Sequence, residues 1–147
     1  MDVRLDPIGP VNRFIIWAFT GKKPRVLRRI VSIIFHVELP VLQSPLRMTH
    51  PYGIIVSGDV VLGKNVTVFQ GVTIGSKRDG KKAGSPIIED DVCIFPNAVL
   101  IGRITVGRGA VVAPGSIVID DVPAGATVAG NPAKVIFQAD NPDKLAL

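Results

Sequence analysis

His50 stands out as a residue placed for chemistry, because it interrupts a regular pattern of aliphatic side chains. From His50 onward one position recurs every six residues, apart from a single interruption, and ten of its eleven members are Val, Leu or Ile. Burying a histidine at such a position costs free energy unless the imidazole is paired. An imidazole can instead accept a proton from a hydroxyl near neutral pH. We therefore predict that His50 is a general base; the alternative is that it only caps the first repeat.

The six-residue repeat predicts the structure that positions His50. Glycine, asparagine, aspartate and proline lie between the repeated positions at a fixed spacing, as turn residues do. A helix with 3.6 residues per turn would not keep this register. Short strands joined by turns and stacked coil on coil form a parallel β-helix, so we predict a mainly β fold of this type. The repeated positions are His50, Val56, Leu62, Val68, Ile74, Ile88, Ile94, Leu100, Val106, Val112 and Val118.

The interruption of the repeat is a candidate functional loop. Ile74 and Ile88 are 14 residues apart instead of six, so eight residues are inserted within 76–85. A long polar loop that leaves a regular solenoid is more often functional than structural. Its basic residues suit a ligand that carries phosphate, with a solvated charged loop as the alternative. These residues are Lys77, Arg78, Lys81 and Lys82.

Charge and composition exclude several classes of function. The 147-residue chain has 17 Lys and Arg against 12 Asp and Glu, and the whole excess of five lies within residues 1–36. Because the neutral remainder shows no reading helix or stacking aromatic residues, we expect no nucleic-acid partner. One cysteine and two histidines exclude a disulfide framework and a Cys/His metal site, so no metal is predicted. No apolar stretch reaches the roughly 18–20 residues of a membrane span, and no signal-peptide cleavage site is visible, so a cytoplasmic location is expected.

The basic N-terminal segment, residues 1–37, is predicted to be an α-helical extension. Its apolar and basic residues follow a helical period from Arg25 to Val37. The apolar arc is wide for so short a helix, so it must be buried against the β-helix, a neighbouring subunit or a membrane surface. Basic and apolar residues lie side by side over residues 13–37, which makes peripheral contact with the inner face of a membrane a hypothesis. Packing within an oligomer is the alternative.

Four segments together resemble the hexapeptide-repeat acyltransferases, and within that family the serine acetyltransferase-like branch. The similar region covers about residues 38–136, which we take as the domain, with 137–147 as a C-terminal tail. The resemblance implies a left-handed parallel β-helix that forms a homotrimer. It also implies that acetyl-CoA, as co-substrate, lies in a groove between subunits where a histidine acts as general base. The four segments are His50–Val56, Val68–Gly75, Asp121–Pro123 and Ala129–Lys134.

The resemblance assigns roles to further positions. Glu38, in its Glu-Leu-Pro context, is predicted to hold the far nitrogen of His50, which fixes the tautomer and favours the imidazolium. A solvated Glu38 at the joint between helix and β-helix is the alternative. The backbone N–H of Gly75 is predicted to stabilise negative charge on the thioester oxygen. CoA is expected to contact Gly75, Ser76, Pro96, Pro114 and Lys134, and the acceptor to contact Thr49, Gln70 and Ser85.

The acceptor expected from the sequence is a hydroxyl of a sugar or polysaccharide precursor. Similar serine acetyltransferases carry an Asp immediately before the histidine and an Arg-His pair at the end of the loop, whereas Thr49, Gly84 and Ser85 stand here. A free α-carboxylate would then lack a charged partner. The alternatives are a serine O-acetyltransferase and a non-catalytic β-helix scaffold. Metal-dependent carbonic anhydrases, which share this solenoid, need three histidines where the chain has two.

Overall fold

Two short helices and thirteen short strands make up the part of the chain that the computed structural model describes, residues 10–21, 23–40, 42 and 46–139. The architecture is mainly β with a helical N-terminal segment, as predicted. The predicted tail beyond residue 139 lies outside the described residues. The helices are α1 (Pro10–Phe19) and α2 (Arg25–Phe35). The strands are β1 (Arg47–Met48), β2 (Ile55–Val56), β3 (Val61–Leu62), β4 (Thr67–Val68), β5 (Thr73–Gly75), β6 (Ile87–Ile88), β7 (Cys93–Ile94), β8 (Val99–Ile101), β9 (Thr105–Val106), β10 (Val111–Val112), β11 (Ile117–Val118), β12 (Ala126–Gly130) and β13 (Ala133–Gln138).

The strands form three parallel sheets, which are the three faces of a β-helix. We call them face 1 (β2, β5, β8 and β11), face 2 (β3, β6 and β9) and face 3 (β1, β4, β7, β10 and β12); β13 adds an antiparallel edge to face 3. The chain visits the faces in turn, so each strand pairs with the strand one coil later. Ile74 pairs with Leu100, 26 positions on, and Leu100 pairs with Val118, 18 positions on. The predicted parallel β-helix is confirmed, with 18 residues in a regular coil.

The inward side chain of each regular strand is the repeated aliphatic residue. On face 3, Val68, Ile94 and Val112 stack in register, and all three are inaccessible to solvent. Burying a Val, Leu or Ile side chain stabilises the fold by about 1.5–3 kcal/mol. The backbones of neighbouring strands also share hydrogen bonds. The aliphatic stack and the backbone ladder together hold one coil on the next.

His50 is not one of these inward residues, which corrects the register predicted for the first repeat. Met48 takes the inward position: it pairs with Val68 and is 1% exposed. The segment from Met48 to Val56 is two residues longer than a regular repeat, and His50 lies exposed in its turn. The flexible, apolar methionine fills the interior, whereas a buried imidazole would need a hydrogen-bond partner. The prediction that His50 replaces a core aliphatic residue was therefore wrong.

The two helices pack against the start of the β-helix and leave part of their apolar surface exposed. Helix α2 ends at Phe35, two residues before the predicted end, because His36 adopts a left-handed backbone conformation with φ of 51°. Among the described residues, no helix is long and apolar enough to cross a membrane. The core side of α2 carries Leu27, Val31 and Phe35. Its exposed apolar side carries Val26, Ile30, Ile33 and Ile34.

The last coil ends in an antiparallel hairpin. Strand β12 runs parallel to β10, and the chain then turns back so that β13 pairs with β12. Strand β13 continues through Gln138, into the segment predicted as a tail. Its exposed apolar residues are Val135, Ile136 and Phe137.

Candidate active site

The turns between face 3 and face 1 stack into a corner that carries several predicted site residues. The N–H of Asn97 donates a hydrogen bond to the carbonyl of Gln70 at 3.0 Å, and that of Gly115 donates to Pro96 at 2.9 Å. Gln70, Pro96 and Pro114 thus occupy equivalent positions in consecutive coils, so the structure brings these three residues together. We call this edge the histidine corner; it comprises residues 49–54, 69–72, 95–98 and 113–116.

His50 lies in the first turn of the histidine corner with its side chain exposed. Its carbonyl accepts a hydrogen bond from the N–H of Tyr52 at 2.8 Å. Glu38 belongs to the preceding coil: its N–H donates to Ile54 at 2.8 Å, and its carbonyl accepts from Val56 at 2.7 Å. The structure describes both side chains and shows no hydrogen bond between the Glu38 carboxylate, which is exposed on face 1, and the His50 imidazole. Their pairing therefore stays a prediction.

Gln70 presents an unsatisfied acceptor at the histidine corner. The residue is half-buried, and its amide oxygen is shielded from solvent without a hydrogen-bond partner among the described residues. The preceding Phe69 stacks on Phe95 with ring centroids 5.0 Å apart, which holds this part of the corner rigidly. Thr49, immediately before His50, is half-buried at the same corner. A buried acceptor without a donor costs about 1–3 kcal/mol, so a ligand or second chain that donates to Gln70 would be stabilised.

The inserted residues form a short hairpin at the opposite end of face 1. Lys77 and Gly84 exchange two backbone hydrogen bonds of 2.9 and 2.8 Å. At the base of the hairpin, the Oγ atoms of Ser76 and Ser85 lie 2.8 Å apart and share a hydrogen bond. This coil holds eight residues more than the regular 18. We call this edge the loop corner; it comprises residues 57–60, 76–86, 102–104 and 119–121.

Lys82 ties the hairpin to later coils. Its Nζ donates to the Asp120 carboxylate at 2.7 Å and to the Ile119 carbonyl at 3.2 Å, and its own carbonyl accepts the N–H of Arg103 at 2.9 Å. The hydrogen bond and then the charge of Lys82 lower the pKa of the Asp120 carboxyl. Lys82 is thus engaged within the chain instead of being available to a phosphate. The other three basic residues of the loop are exposed: Lys77, Arg78 and Lys81.

Arg103 is a further cation at the loop corner, contributed by the following coil, and the repeat alone does not single it out. Its stem packs against Gly84, where an added Cβ would lie 3.2 Å from the Arg103 Cβ. Gly84 has φ of +127°, a backbone conformation that favours glycine. The Arg103 side chain is exposed and pairs with no carboxylate of the described residues. The 18-residue coil places Arg103 next to Ser85, the residue after Gly84, so the coil period is a signal that would have predicted Arg103 near the base of the hairpin.

The histidine corner and the loop corner lie at opposite ends of face 1 within one chain. Gly53 and Gly58 bracket strand β2 between the corners, and five residue steps of about 3.3 Å span roughly 16 Å. His50 and the Ser76 and Ser85 hydroxyls are therefore not brought together inside a single chain. A small acceptor, unlike a ligand as long as CoA, could contact both groups only where the histidine corner of one copy faces the loop corner of another.

Gly75 and Lys134 lie away from the histidine corner. Gly75 ends β5, and its carbonyl accepts the N–H of Gly102 at 3.1 Å, so its predicted donor role stays a prediction. Lys134 lies exposed in β13, and its charge contributes, after that of Lys82, to the lowered pKa of Asp120. Within the part of the chain that the structure describes, no group of three or more His, Cys, Asp or Glu is arranged to hold a metal ion.

The relatives to which this chain is similar in sequence are named acetyltransferases. No protein-family model matches the chain. A serine acetyltransferase of Bacillus pumilus is 38% identical over 128 residues, which cover 82% of this chain and 59% of that protein. A 2,3,4,5-tetrahydropyridine-2,6-dicarboxylate N-acetyltransferase of Staphylococcus aureus is 54% identical over 77 residues, which cover 52% of this chain and 32% of that protein. The chain thus spans less than two thirds of the length of either relative.

The solved structures to which this chain is similar are also acetyltransferases. The crystal structure of Neisseria gonorrhoeae serine acetyltransferase matches with a TM-score of 0.68 and 32% identity, over 80% of this chain and 46% of that one. A serine acetyltransferase in complex with CoA matches with a TM-score of 0.65 and 30% identity, over 76% of this chain and 46% of that one. Serine acetyltransferases are left-handed β-helix proteins, which confirms the predicted hand of the helix. The chain therefore belongs to the hexapeptide-repeat acyltransferases, in their serine acetyltransferase-like branch.

Proposed function

We propose that this protein transfers an acetyl group from acetyl-CoA to a hydroxyl of a small acceptor. The observation that carries the proposal is an exposed His50 at the corner of a fold shared with serine acetyltransferases, one of which is solved with CoA. The Staphylococcus aureus relative, named an N-acetyltransferase, also supports acetyl transfer. A non-catalytic scaffold has no use for an exposed histidine opposite a structured hydroxyl-bearing hairpin.

His50 acts as the general base in this proposal. Its imidazole accepts the proton of the acceptor hydroxyl while the hydroxyl oxygen attacks the thioester carbonyl. The new C–O bond forms, the C–S bond breaks, and the imidazolium returns the proton to the departing CoA thiolate. The products are an O-acetyl ester and CoA, so atoms and charge balance. Glu38 is the partner proposed to turn toward the far imidazole nitrogen and favour the imidazolium.

The predicted CoA-binding residues suit a long, partly charged donor. Pro96 and Pro114 line the histidine corner with an uncharged surface that carries no backbone N–H. Gly75 and Ser76 lie at the loop corner, where a donor held between two copies would pass. Lys134 offers an exposed ammonium, and an ammonium attracts phosphate strongly. Together these positions fit an apolar tail with a phosphate-bearing end.

Serine is the acceptor that the relatives favour over the sugar hydroxyl expected from the sequence alone. Relatives of Bacillus pumilus and Bacillus licheniformis and a solved neighbour are named serine acetyltransferase. A sugar hydroxyl is the second candidate, because Thr49, Gly84 and Ser85 carry no charge for the ammonium and carboxylate of an amino acid. The two acceptors differ in charge, so a direct assay separates them.

We also propose that the active site is shared between copies in a homotrimer. The separation of His50 from the Ser76 and Ser85 hydroxyls across face 1 supports this arrangement, because a second copy would bring both groups within reach of one small acceptor. A head-to-tail contact of this kind generates a closed ring when its rotation closes. Three identical sites would then form, each from the histidine corner of one copy and the loop corner of its neighbour.

We propose in addition that the outer surface of α1 and α2 contacts an anionic membrane. Phe14 and Trp17 stack on each other at 6.0 Å and are about half exposed, and Lys23 lies 4.2 Å from the Trp17 ring. Exposed apolar and basic residues side by side are typical of interfacial helices. Co-sedimentation with phosphatidylglycerol vesicles is expected for wild type and not for an Ile33→Asp/Ile34→Asp variant. Equal binding of both proteins, or none to anionic vesicles, would overturn this membrane contact.

Acetyl-CoA turnover, followed by thiol release, tests the proposed function. Serine, free sugars and nucleotide sugars serve as acceptors for wild type, His50→Ala and the control His36→Asn, which replaces the other histidine at an exposed position. Loss of a general base lowers the rate at least about 100-fold, so we expect that loss for His50→Ala only. Asparagine tolerates the left-handed conformation at residue 36. If no acceptor releases CoA, the scaffold alternative replaces the proposal.

A further inference from the structure

Arg103 is held rigidly at the base of the loop-corner hairpin. Its N–H donates to the Lys82 carbonyl at 2.9 Å, and its stem lies 3.2–3.6 Å from the place where Gly84 would carry a Cβ. Gly102, the residue before it, has φ of +90°, and a Cβ there would lie 2.9 Å from the same Lys82 carbonyl. Both glycines therefore permit the close approach that fixes Arg103 against the hairpin.

The charge of Arg103 is not used by the described chain. Lys82, the neighbouring cation, is neutralised by Asp120 at 2.7 Å, whereas no carboxylate of the described residues pairs with the exposed Arg103 guanidinium. An unpaired guanidinium presents several N–H donors in a fork that matches a carboxylate. Since its stem is already ordered by packing, less conformational entropy is lost when it binds an anion.

The surroundings of Arg103 are suited to a small polar anion. Gly84, on which its stem packs, is followed directly by Ser85, whose hydroxyl bonds to that of Ser76 at 2.8 Å. Hydroxyls donate to carboxylate oxygens without adding charge. The hairpin base thus combines one unpaired cation with two hydroxyls, while its own residues 84 and 85 bear no charge.

We infer that Arg103 binds a carboxylate of the acceptor, an inference that rests on the proposed acetyl transfer. It supplies from the following coil the positive charge that Gly84 and Ser85 lack. Arg103 is then a specificity-determining residue: it selects a hydroxyl acceptor that carries a carboxylate over a neutral one. Serine and a uronic acid share this chemistry, whereas serinamide and glucose do not.

Paired acceptors test this role. Initial rates are measured for wild type, Arg103→Ala, Arg103→Lys and the control Lys64→Ala, which removes an exposed cation outside both corners. The acceptor pairs are serine against serinamide and glucuronate against glucose. We expect Arg103→Ala to raise KM for the carboxylate acceptor about 10–100-fold, with kcat and the KM for acetyl-CoA little changed. Arg103→Lys should recover part of the loss, and Lys64→Ala should match wild type. The acceptor pair in which KM changes, serine with serinamide or glucuronate with glucose, shows which kind of acceptor supplies the carboxylate.

Binding distinguishes failure of this inference from failure of the proposed function. Calorimetric titration of the CoA-saturated protein with serine and with glucuronate measures acceptor binding without turnover. Carboxylate-dependent binding that is present in wild type and lost in Arg103→Ala supports the role even without catalysis. Unchanged selectivity in Arg103→Ala, or no carboxylate binding by wild type, overturns it. Arg103→Gln, which removes the charge of this exposed residue and keeps most of its side chain, should reproduce the effect if Arg103→Ala fails to fold.

Discussion

Met48 and His50 are two residues apart, yet the fold places one in the core and the other in water. Met48 is 1% exposed and stacks on Val68, so Met48→Ala removes most of a buried side chain. Truncations of this kind cost about 2–5 kcal/mol. In a domain of this size each kcal/mol moves Tm by about 2–4 °C, so we expect Tm to fall by roughly 4–20 °C.

His50→Ala should give the opposite result. An exposed turn residue changes the free energy of unfolding by about 0.5 kcal/mol or less, so Tm should stay close to that of wild type. The proposed loss of a general base lowers kcat/KM at least about 100-fold. Thermal unfolding by circular dichroism at equal protein concentration, together with the thiol-release assay, measures both quantities. A fall in Tm for His50→Ala as large as that for Met48→Ala would refute the register seen in the structure.

Two further predictions concern the loop corner and the shared site. Since the pKa of Asp120 is lowered in the fold, its bond to Lys82 contributes fully above about pH 4 and is lost as pH falls through the lowered value. The rate of hydrogen exchange at the Arg103 amide, corrected for the intrinsic rate, should therefore rise in wild type as pH falls through the pKa of Asp120. In Asp120→Asn this rise should be absent. The same rise in both proteins would contradict the prediction. Co-expressed His50→Ala and Arg103→Ala chains that assemble at random in equal amounts should restore about a quarter of all sites, which is one site in each mixed trimer. If the co-expressed sample is no more active at low serine concentration than either single variant, a site shared between copies is excluded.

The stacked core of this protein is visible in its sequence because one physical constraint repeats. Each coil must place an aliphatic side chain inward and a turn outward at the same spacing, so Val68, Ile94 and Val112 are recognisable from their spacing alone. The inserted loop is equally visible, because extra residues shift the phase of every later repeat. The family resemblance also follows from local segments, which depend on little beyond their own residues.

The charged contacts of the loop corner were not predicted, because they join residues that are distant along the chain. Lys82 meets Asp120 across 38 positions, and Arg103 meets Gly84 across 19. A coil period predicts which backbones are neighbours, but it does not decide whether a side chain pairs, packs or remains exposed. The expectation that the hairpin base lacks a cation therefore overlooked Arg103.

Periodic burial and turn chemistry are local properties, so the solenoid, the place of its insertion and the histidine to examine follow from the order of the residues. The inward side chain of Met48 and the outward side chain of His50 emerge in the folded chain, because the length of one turn sets the register. The folded chain also shows that Lys82 is neutralised while Arg103 is not, and that His50 and the hairpin lie at opposite ends of one face. These outcomes depend on which coils stack in space, and that depends on the packing of the whole chain.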